Sequence, residues 1–186
     1  MADDATLGRP ARLPGDQTPD TKSMIRVDQA GEYGAARIYA GQLAVLGNRH
    51  PFAREIARMA EQEKRHLAAF DRLVAVRGVR PTALQPLWHV AGFALGAATA
   101  LMGPRAAMAC TVAVETEIDR HYSEQREALG SDDPELKRHI EEFQADELEH
   151  RDTALAHEAE KAPLYPLLSA GIRAACRLAI AASKRL

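Results

Sequence analysis

Glu63-Lys64-Arg65-His66 and Glu147-Leu148-Glu149-His150 are the two stretches on which the reading of this chain turns. Each is a Glu-x-x-His. On a helix, residues i and i+3 share a face, so the carboxylate and the imidazole of each stretch stack side by side and can hold one side of a metal ion. Of the seven histidines, only these two have a glutamate three residues earlier.

Upstream of each stretch stands a single further glutamate. Glu32 lies 31 residues before Glu63, and Glu115 lies 32 residues before Glu147. The chain therefore carries one pattern twice: a helix with a lone Glu, a turn, a helix with Glu-x-x-His. Two lone glutamates and two Glu-x-x-His pairs, all pointing inward, form the ligand set of ferritin-like di-iron four-helix bundles. The expected fold is all-α, a ferritin-like four-helix bundle with an extra apolar segment and a C-terminal amphipathic helix.

The apolar periodicity places each glutamate. A first helix is expected from about Ser23, a suitable N-cap, to Leu46, with Ile25, Ala35, Tyr39 and Leu43 on the face that also carries Glu32. Its Gly31, Gly34 and Gly41 cost helix propensity and suit the close approach of another helix or a substrate. Gly47-Asn48 and Pro51 separate it from a second helix reaching Arg77. There Glu63 and His66 fall within the stripe Ile56, Met59, Phe70, Leu73. A third helix, Pro104 to Leu129, sets Glu115 among Met108, Val112, Ile118 and Tyr122. A fourth, Pro134 to Lys161, sets Glu147 and His150 among Leu136, Ile140, Phe143 and Ala154. Glu61, Glu117 and Glu149 fall off these stripes and are expected to be solvated.

Two segments lie outside the four. Residues 81–104 contain no Asp, Glu, Lys or Arg, and Leu87 to Met102 is apolar apart from His89 and Thr99. This run is too short and too rich in Gly and Ala for a membrane span. Interfacial contact is preferred to burial, because a bundle of 186 residues has little room to hide another apolar helix. Residues 163–186 contain no acid. Leu164, Leu167, Leu168, Leu178, Ala182 and Leu186 share one helical face, and Arg173, Arg177 and Lys184 the opposite one. Such a helix either lies on an anionic membrane surface or docks on the bundle.

Composition narrows the function classes. The length suits one domain with a real core, read as residues 23–186 behind a disordered tail at 1–22. The tail has no apolar run and carries four Asp, unlike a signal or mitochondrial transit peptide. A net charge of −2 and few aromatics give no reason to expect nucleic acid. Cys110 and Cys176 form no Cys-x-x-Cys pair and read as small buried hydrophobes. A bacterial protein of the cytoplasm fits these features.

Buried Glu and His are rare, and each needs its own partner, so six on apolar faces point to metal. Carboxylate and imidazole without thiolate suit iron or manganese. Glu63 and Glu147 are assigned as bridges, with Glu32 and His66 completing one iron and Glu115 and His150 the other. Asp146, beside Glu147, is placed to hold the second ring nitrogen of His66, and the first motif has Gln62 at the same place. Tyr122 shares the ligand face, as a substrate contact, an electron relay or a core tyrosine.

At these residues the chain resembles the demethoxyubiquinone hydroxylases of ubiquinone biosynthesis. The stretches that carry the resemblance run from Arg26 to Ala35 and from Arg37 to Gln42, with Glu61 to Leu67, Ala113-Val114-Glu115, His121-Tyr122 and Asp146 to His150. It covers about residues 24 to 186. Gln29 departs from the His common in the family and lies off the ligand set. The resemblance implies two Fe ions, O2 as co-substrate and NADH as the ultimate electron donor. The substrate would be a polyprenyl demethoxyubiquinol hydroxylated on its ring. The protein would be peripheral on the membrane surface, on the cytoplasmic side in a bacterium, with a homo-oligomer or a ubiquinone-biosynthesis complex left open. Two rivals stand beside it: a bacterioferritin-like ferroxidase, which shares all six ligands, and a non-enzymatic membrane-associated bundle.

Overall fold

The computed structural model of the protein describes residues 19–47 and 50–186, so most of the expected tail lies outside the described residues. Among the described residues the regular structure is helical throughout. Helix α1 spans Thr21–Leu46, α2 Ala53–Val76, α3 Gln85–Leu101, α4 Pro104–Leu129, α5 Pro134–Ala156 and α6 Tyr165–Ser183.

Local chemistry sets the ends. Helix α1 starts before the expected Ser23, because the carboxylate of Asp20 accepts from the Ser23 backbone N–H at 3.0 Å. Asp133 caps α5 in the same way through Leu136 N–H, also at 3.0 Å. Gly103, at φ +117, turns the chain between α3 and α4 in a conformation open to glycine. The last bundle helix stops at Ala156 and does not reach the expected Lys161. Glu158 takes a left-handed φ of 61, and one 3-10 turn follows.

Helices α1, α2, α4 and α5 form the bundle. The contacts of α1 with α4 run antiparallel: Tyr122 meets Glu32, Gln125 meets Asp28 and Tyr39 meets Glu115. Two apolar clusters fill the two ends. One is built on Tyr39, Ile56, Met59 and Met108, the other on Ile25, Phe70, Leu136 and Phe143. The buried glutamates and histidines lie between them.

The other two helices lie against the outside of this frame. Helix α3 runs parallel to α1, with its glycines in the contact. The missing Cβ atoms of Gly92 and Gly96 face the Gly34 and Ile38 carbonyls, and that of Gly41 faces the Phe93 carbonyl. Any side chain at Gly41 or Gly96 would collide with backbone, so the glycines set how closely the helices pack. Apolar side chains of α3 are left outward, Leu87 and Val90 among them.

Helix α6 docks along α4, with Ile172 buried and Leu168 and Cys176 packed against the same apolar cluster. Arg173 and Arg177, both half-exposed, reach across to Glu117 at 2.6 and 3.3 Å. Glu117, expected to be solvated, is fully buried, and Arg120 holds its other oxygen at 3.0 Å. A periodic pattern shows which residues share a face but not which face docks. Leu168 of the expected leucine face packs inward, whereas Leu164, Leu167 and Leu178 point out, 70%, 70% and 72% exposed. No helix among the described residues is long and apolar enough to cross a membrane.

Candidate metal centre

Glu32 comes from α1, Glu63 and His66 from α2, Glu115 from α4, and Glu147 and His150 from α5. All six are at most 2% exposed. They gather as two overlapping tetrads, Glu32–Glu63–His66–Glu147 and Glu63–Glu115–Glu147–His150, with ligand atoms in each within 4.8 Å of one another. Glu63 and Glu147 belong to both. That sharing matches two cation positions bridged by two carboxylates, with one further Glu and one His on each side.

The histidines present the same nitrogen to the centre. His66 Nδ1 lies 3.1 Å from Glu147 and 3.3 Å from Glu32, and His150 Nδ1 lies 2.9 Å from Glu147 and 3.3 Å from Glu63. Their outer nitrogens are held separately, His66 Nε2 by Asp146 at 3.0 Å and His150 Nε2 by Gln62 at 3.1 Å. An oxygen acceptor there places the ring proton on Nε2 and leaves the Nδ1 lone pair for a metal.

Two tyrosines hold the lone glutamates. Tyr39 donates to Glu115 at 2.9 Å, and Tyr122 donates to Glu32 in a short contact. Burial first, then the surrounding carboxylates, push both phenols well above their usual range, so they stay donors. Tyr122 is outside the lining of the apolar cleft described below.

Four carboxylates packed together act strongly on one another's protonation. Burial, then Glu147 and Glu32, push the Glu63 carboxyl well above the ordinary range; burial and Glu147 do the same to Glu115. Burial also acts on Glu147, but the two histidines outweigh it and hold it at about 2. Burial disfavours the charged form of His66, yet Glu147 and Glu32 raise it to about 11. Both oxygens of Glu63, with Glu32 Oε2 and Glu115 Oε2, are buried without a hydrogen-bond donor. Bare, inward carboxylate oxygens at this density fit divalent cations in place of shared protons.

Beside the centre lies an apolar cleft of about 180 Å³, walled by α1, α3, α4 and α6 and lined by Gly31, Gly34, Trp88, Leu95, Cys176 and Ile180 among others. Ala35, Ile38 and Val114 line its inner wall and also bound a small cavity reaching Tyr39 and Glu115. One layer of side chains thus separates the cleft from a glutamate of the cluster.

All six clustered residues and Asp146 follow from the sequence pattern; the contacts of Tyr39 with Glu115 and of Gln62 with His150 do not. The signal for Tyr39 was its position two turns after Glu32 on the same face. For Gln62 it was the register it shares with Asp146, one residue before the glutamate of each Glu-x-x-His.

Bundle and cluster together define an all-α protein of the ferritin-like kind, with a buried carboxylate–histidine site compatible with metal. Comparison with known proteins narrows this. The chain belongs to the COQ7 family, ubiquinone biosynthesis protein COQ7, whose model matches residues 19–183. It is 55% identical over 177 residues to the 3-demethoxyubiquinol 3-hydroxylase of Rhodospirillum rubrum, covering 94% of this chain and 84% of the relative. It is 54% identical over 167 residues to the mitochondrial NADPH-dependent 3-demethoxyubiquinone 3-hydroxylase of Homo sapiens, covering 88% and 76%. Against the mitochondrial 5-demethoxyubiquinone hydroxylase of Saccharomyces cerevisiae it is 44% identical over 179 residues, covering 88% and 77%.

Proposed function

We propose that the protein is a non-haem di-iron, O2-dependent monooxygenase that hydroxylates the ring of a polyprenyl demethoxyubiquinol, within a single domain at residues 23–186. The observation that carries this is the placement of the two tetrads, joined through Glu63 and Glu147, directly behind the inner wall of an apolar cleft. Its relatives are named for that hydroxylation.

Glu32, Glu63, His66 and Glu147 would hold one iron, and Glu63, Glu115, Glu147 and His150 the other. When bound, the pair supplies activation of O2 for insertion of one oxygen atom into the ring, with the second atom leaving as water. The rest is done by this chain's own residues. Asp146 and Gln62 fix the histidine tautomers, while Tyr39 and Tyr122 hold Glu115 and Glu32. The cleft takes up an apolar molecule and keeps water from the ring. A reduced nicotinamide dinucleotide is the external donor, NADH in the reading from sequence and NADPH in the names of several relatives.

A polyprenyl substrate resides in a bilayer, and the protein meets it peripherally, on the cytoplasmic side in a bacterium. The outward leucines of α6 and the outward apolar residues of α3 flank the cleft and form the membrane-facing side.

The test is anaerobic loading with Fe(II), followed by a short-chain demethoxyubiquinone, O2, and NADH or NADPH, with products read by mass spectrometry. The expected result is one added oxygen on the ring, lost in Glu63→Ala. Iron bound and oxidised with the quinone unchanged would favour ferroxidase instead; no bound iron would sink both.

A further inference from the structure

Five cationic residues from three parts of the chain meet at one end of the molecule. Lys22 and Arg26 lie in the first turns of α1, Arg80 in the connection before α3, and Lys184 and Arg185 just past α6. The backbone ties these parts together. Arg26 donates to the Arg80 carbonyl at 2.8 Å and to the Lys184 carbonyl at 3.4 Å, and Ala83 N–H donates to the Leu186 carbonyl at 3.0 Å. Among the described residues, no ion pair involves any of the five charged groups. Other cations do bind carboxylates, Arg58, Arg77, Arg105, Arg120 and Arg173 among them.

The cluster adjoins the apolar side. Leu87, Val90 and Leu178 are exposed next to it, 54%, 64% and 72% respectively. Trp88 is half-buried at the cleft mouth, and its indole N–H donates to Ser183 at 3.2 Å, one residue before Lys184. An apolar face edged by a tryptophan and then by a group of cations matches a bilayer in cross-section: acyl region, interface, phosphate layer.

We propose that Lys22, Arg26, Arg80, Lys184 and Arg185 bind the phosphates of anionic phospholipids and thereby turn the cleft mouth toward the bilayer. This rests on the membrane-docked reading above and adds to it lipid charge selectivity and a fixed orientation. The arginines of α6 that sequence alone would assign to lipid, Arg173 and Arg177, do not serve: Glu117 holds them.

The experiment is sedimentation of the full chain with vesicles of phosphatidylcholine alone and of phosphatidylcholine mixed with phosphatidylglycerol. Arg80→Gln/Arg185→Gln removes two exposed charges without touching the core, the cleft or the metal ligands. Leu167→Ser/Leu178→Ser tests the apolar face, and circular dichroism checks that each variant is folded. The wild type should prefer the charged vesicles. The arginine variant should lose roughly thirtyfold of that preference, about fivefold per cation, and keep its binding to neutral vesicles. The leucine variant should lose binding to both. An arginine variant that prefers charged vesicles as the wild type does overturns the proposal. So does release of the wild type by soluble glycerol phosphate at vesicle-like concentrations, which would mark a free-phosphate site. Wild type that binds both vesicles equally sinks the headgroup site alone; wild type that binds neither sinks the membrane-docked reading as well.

Discussion

Gln62 Oε1 lies 3.1 Å from His150 Nε2, the place that Asp146 Oδ2 takes 3.0 Å from His66 Nε2. The two halves of the centre therefore share a geometry and differ in charge. A carboxylate holds the outer nitrogen of one imidazole and a neutral amide that of the other. The Gln62 amide is oriented by Arg58, which donates to the same oxygen at 2.9 Å. Gln62→Leu removes the acceptor and frees the tautomer of His150. Metal affinity should fall on the order of 10- to 100-fold at one of two positions. Titration of Fe(II) or Mn(II) followed by calorimetry should show one tight and one weakened site. Two unchanged sites would refute the role of Gln62.

The protonation pattern of the cluster predicts how metal and pH act together. Glu63 and Glu115 are raised, so their contribution to the stability of the metal-free protein is complete below the ordinary carboxylate value, about 4.3, and is lost as pH rises. His66 behaves alike: its contribution is full below about 6.5 and fades as pH rises toward about 11. Glu147 has the opposite sign and is lost only as pH falls toward about 2. Metal-free protein should therefore lose stability steadily from about pH 5 to pH 9. Metal affinity should rise over the same range, because binding releases those protons. Thermal melts of chelator-treated and metal-loaded protein should show a gap in Tm that widens with pH. A constant gap would contradict the assignment.

The centre was legible in the sequence because its chemistry is periodic. Glu-x-x-His fixes two residues on one helical face, and the 31- and 32-residue spacings set Glu32 and Glu115 on the preceding helices. Asp146 was legible as a carboxylate beside a ligand, whereas an amide in the same register, Gln62, carries no charge to mark it. The docking of α6 was hidden for a different reason. Its arginines look solvent-facing until α4 supplies Glu117, and no local pattern ties residue 117 to residue 173. Likewise, Gly31, Gly34 and Gly41 signalled a close approach without its partner. The structure divides them: Gly41 packs on helix α3, Gly31 lines the cleft, and Gly34 lines the cleft while its carbonyl meets Gly92 of α3.

Glu117 should act as the anchor of α6. Burial favours its neutral form, but Arg173 and Arg120 outweigh this and hold the carboxyl below its usual value. Glu117→Gln removes the charge and leaves three half-exposed arginines that water can solvate. The cost should be about 2 kcal/mol, the scale of hydrogen bonds to a charged group. Because α6 lies on the outside of the bundle, it should loosen before the bundle melts. Proteolysis should then cut within residues 165–183 at a low protease dose, while metal content stays at the wild-type level. Protection equal to wild type would show that apolar contacts through Ile172 and Leu168 suffice.

The cleft separates folding from function at Gly34. A Cβ built there meets nothing within 4 Å, and the residue lines the cleft. Gly34→Leu thus adds a side chain into open space and improves helix propensity in α1. Stability should hold or rise by up to about 1 kcal/mol. The leucine occupies the volume an apolar substrate needs, so KM for a quinone should rise roughly tenfold, the effect of about one lost or misplaced apolar contact. Metal binding should not change, since Gly34 touches none of the six ligands. Ile38→Ala acts in the other direction, because Ile38 stands between the cleft and the cavity beside Glu115. Opening that layer should admit water and raise oxidation of the donor without hydroxylated product, read as the ratio of dinucleotide consumed to quinone converted. A Gly34→Leu protein with unchanged KM would place the substrate's route elsewhere.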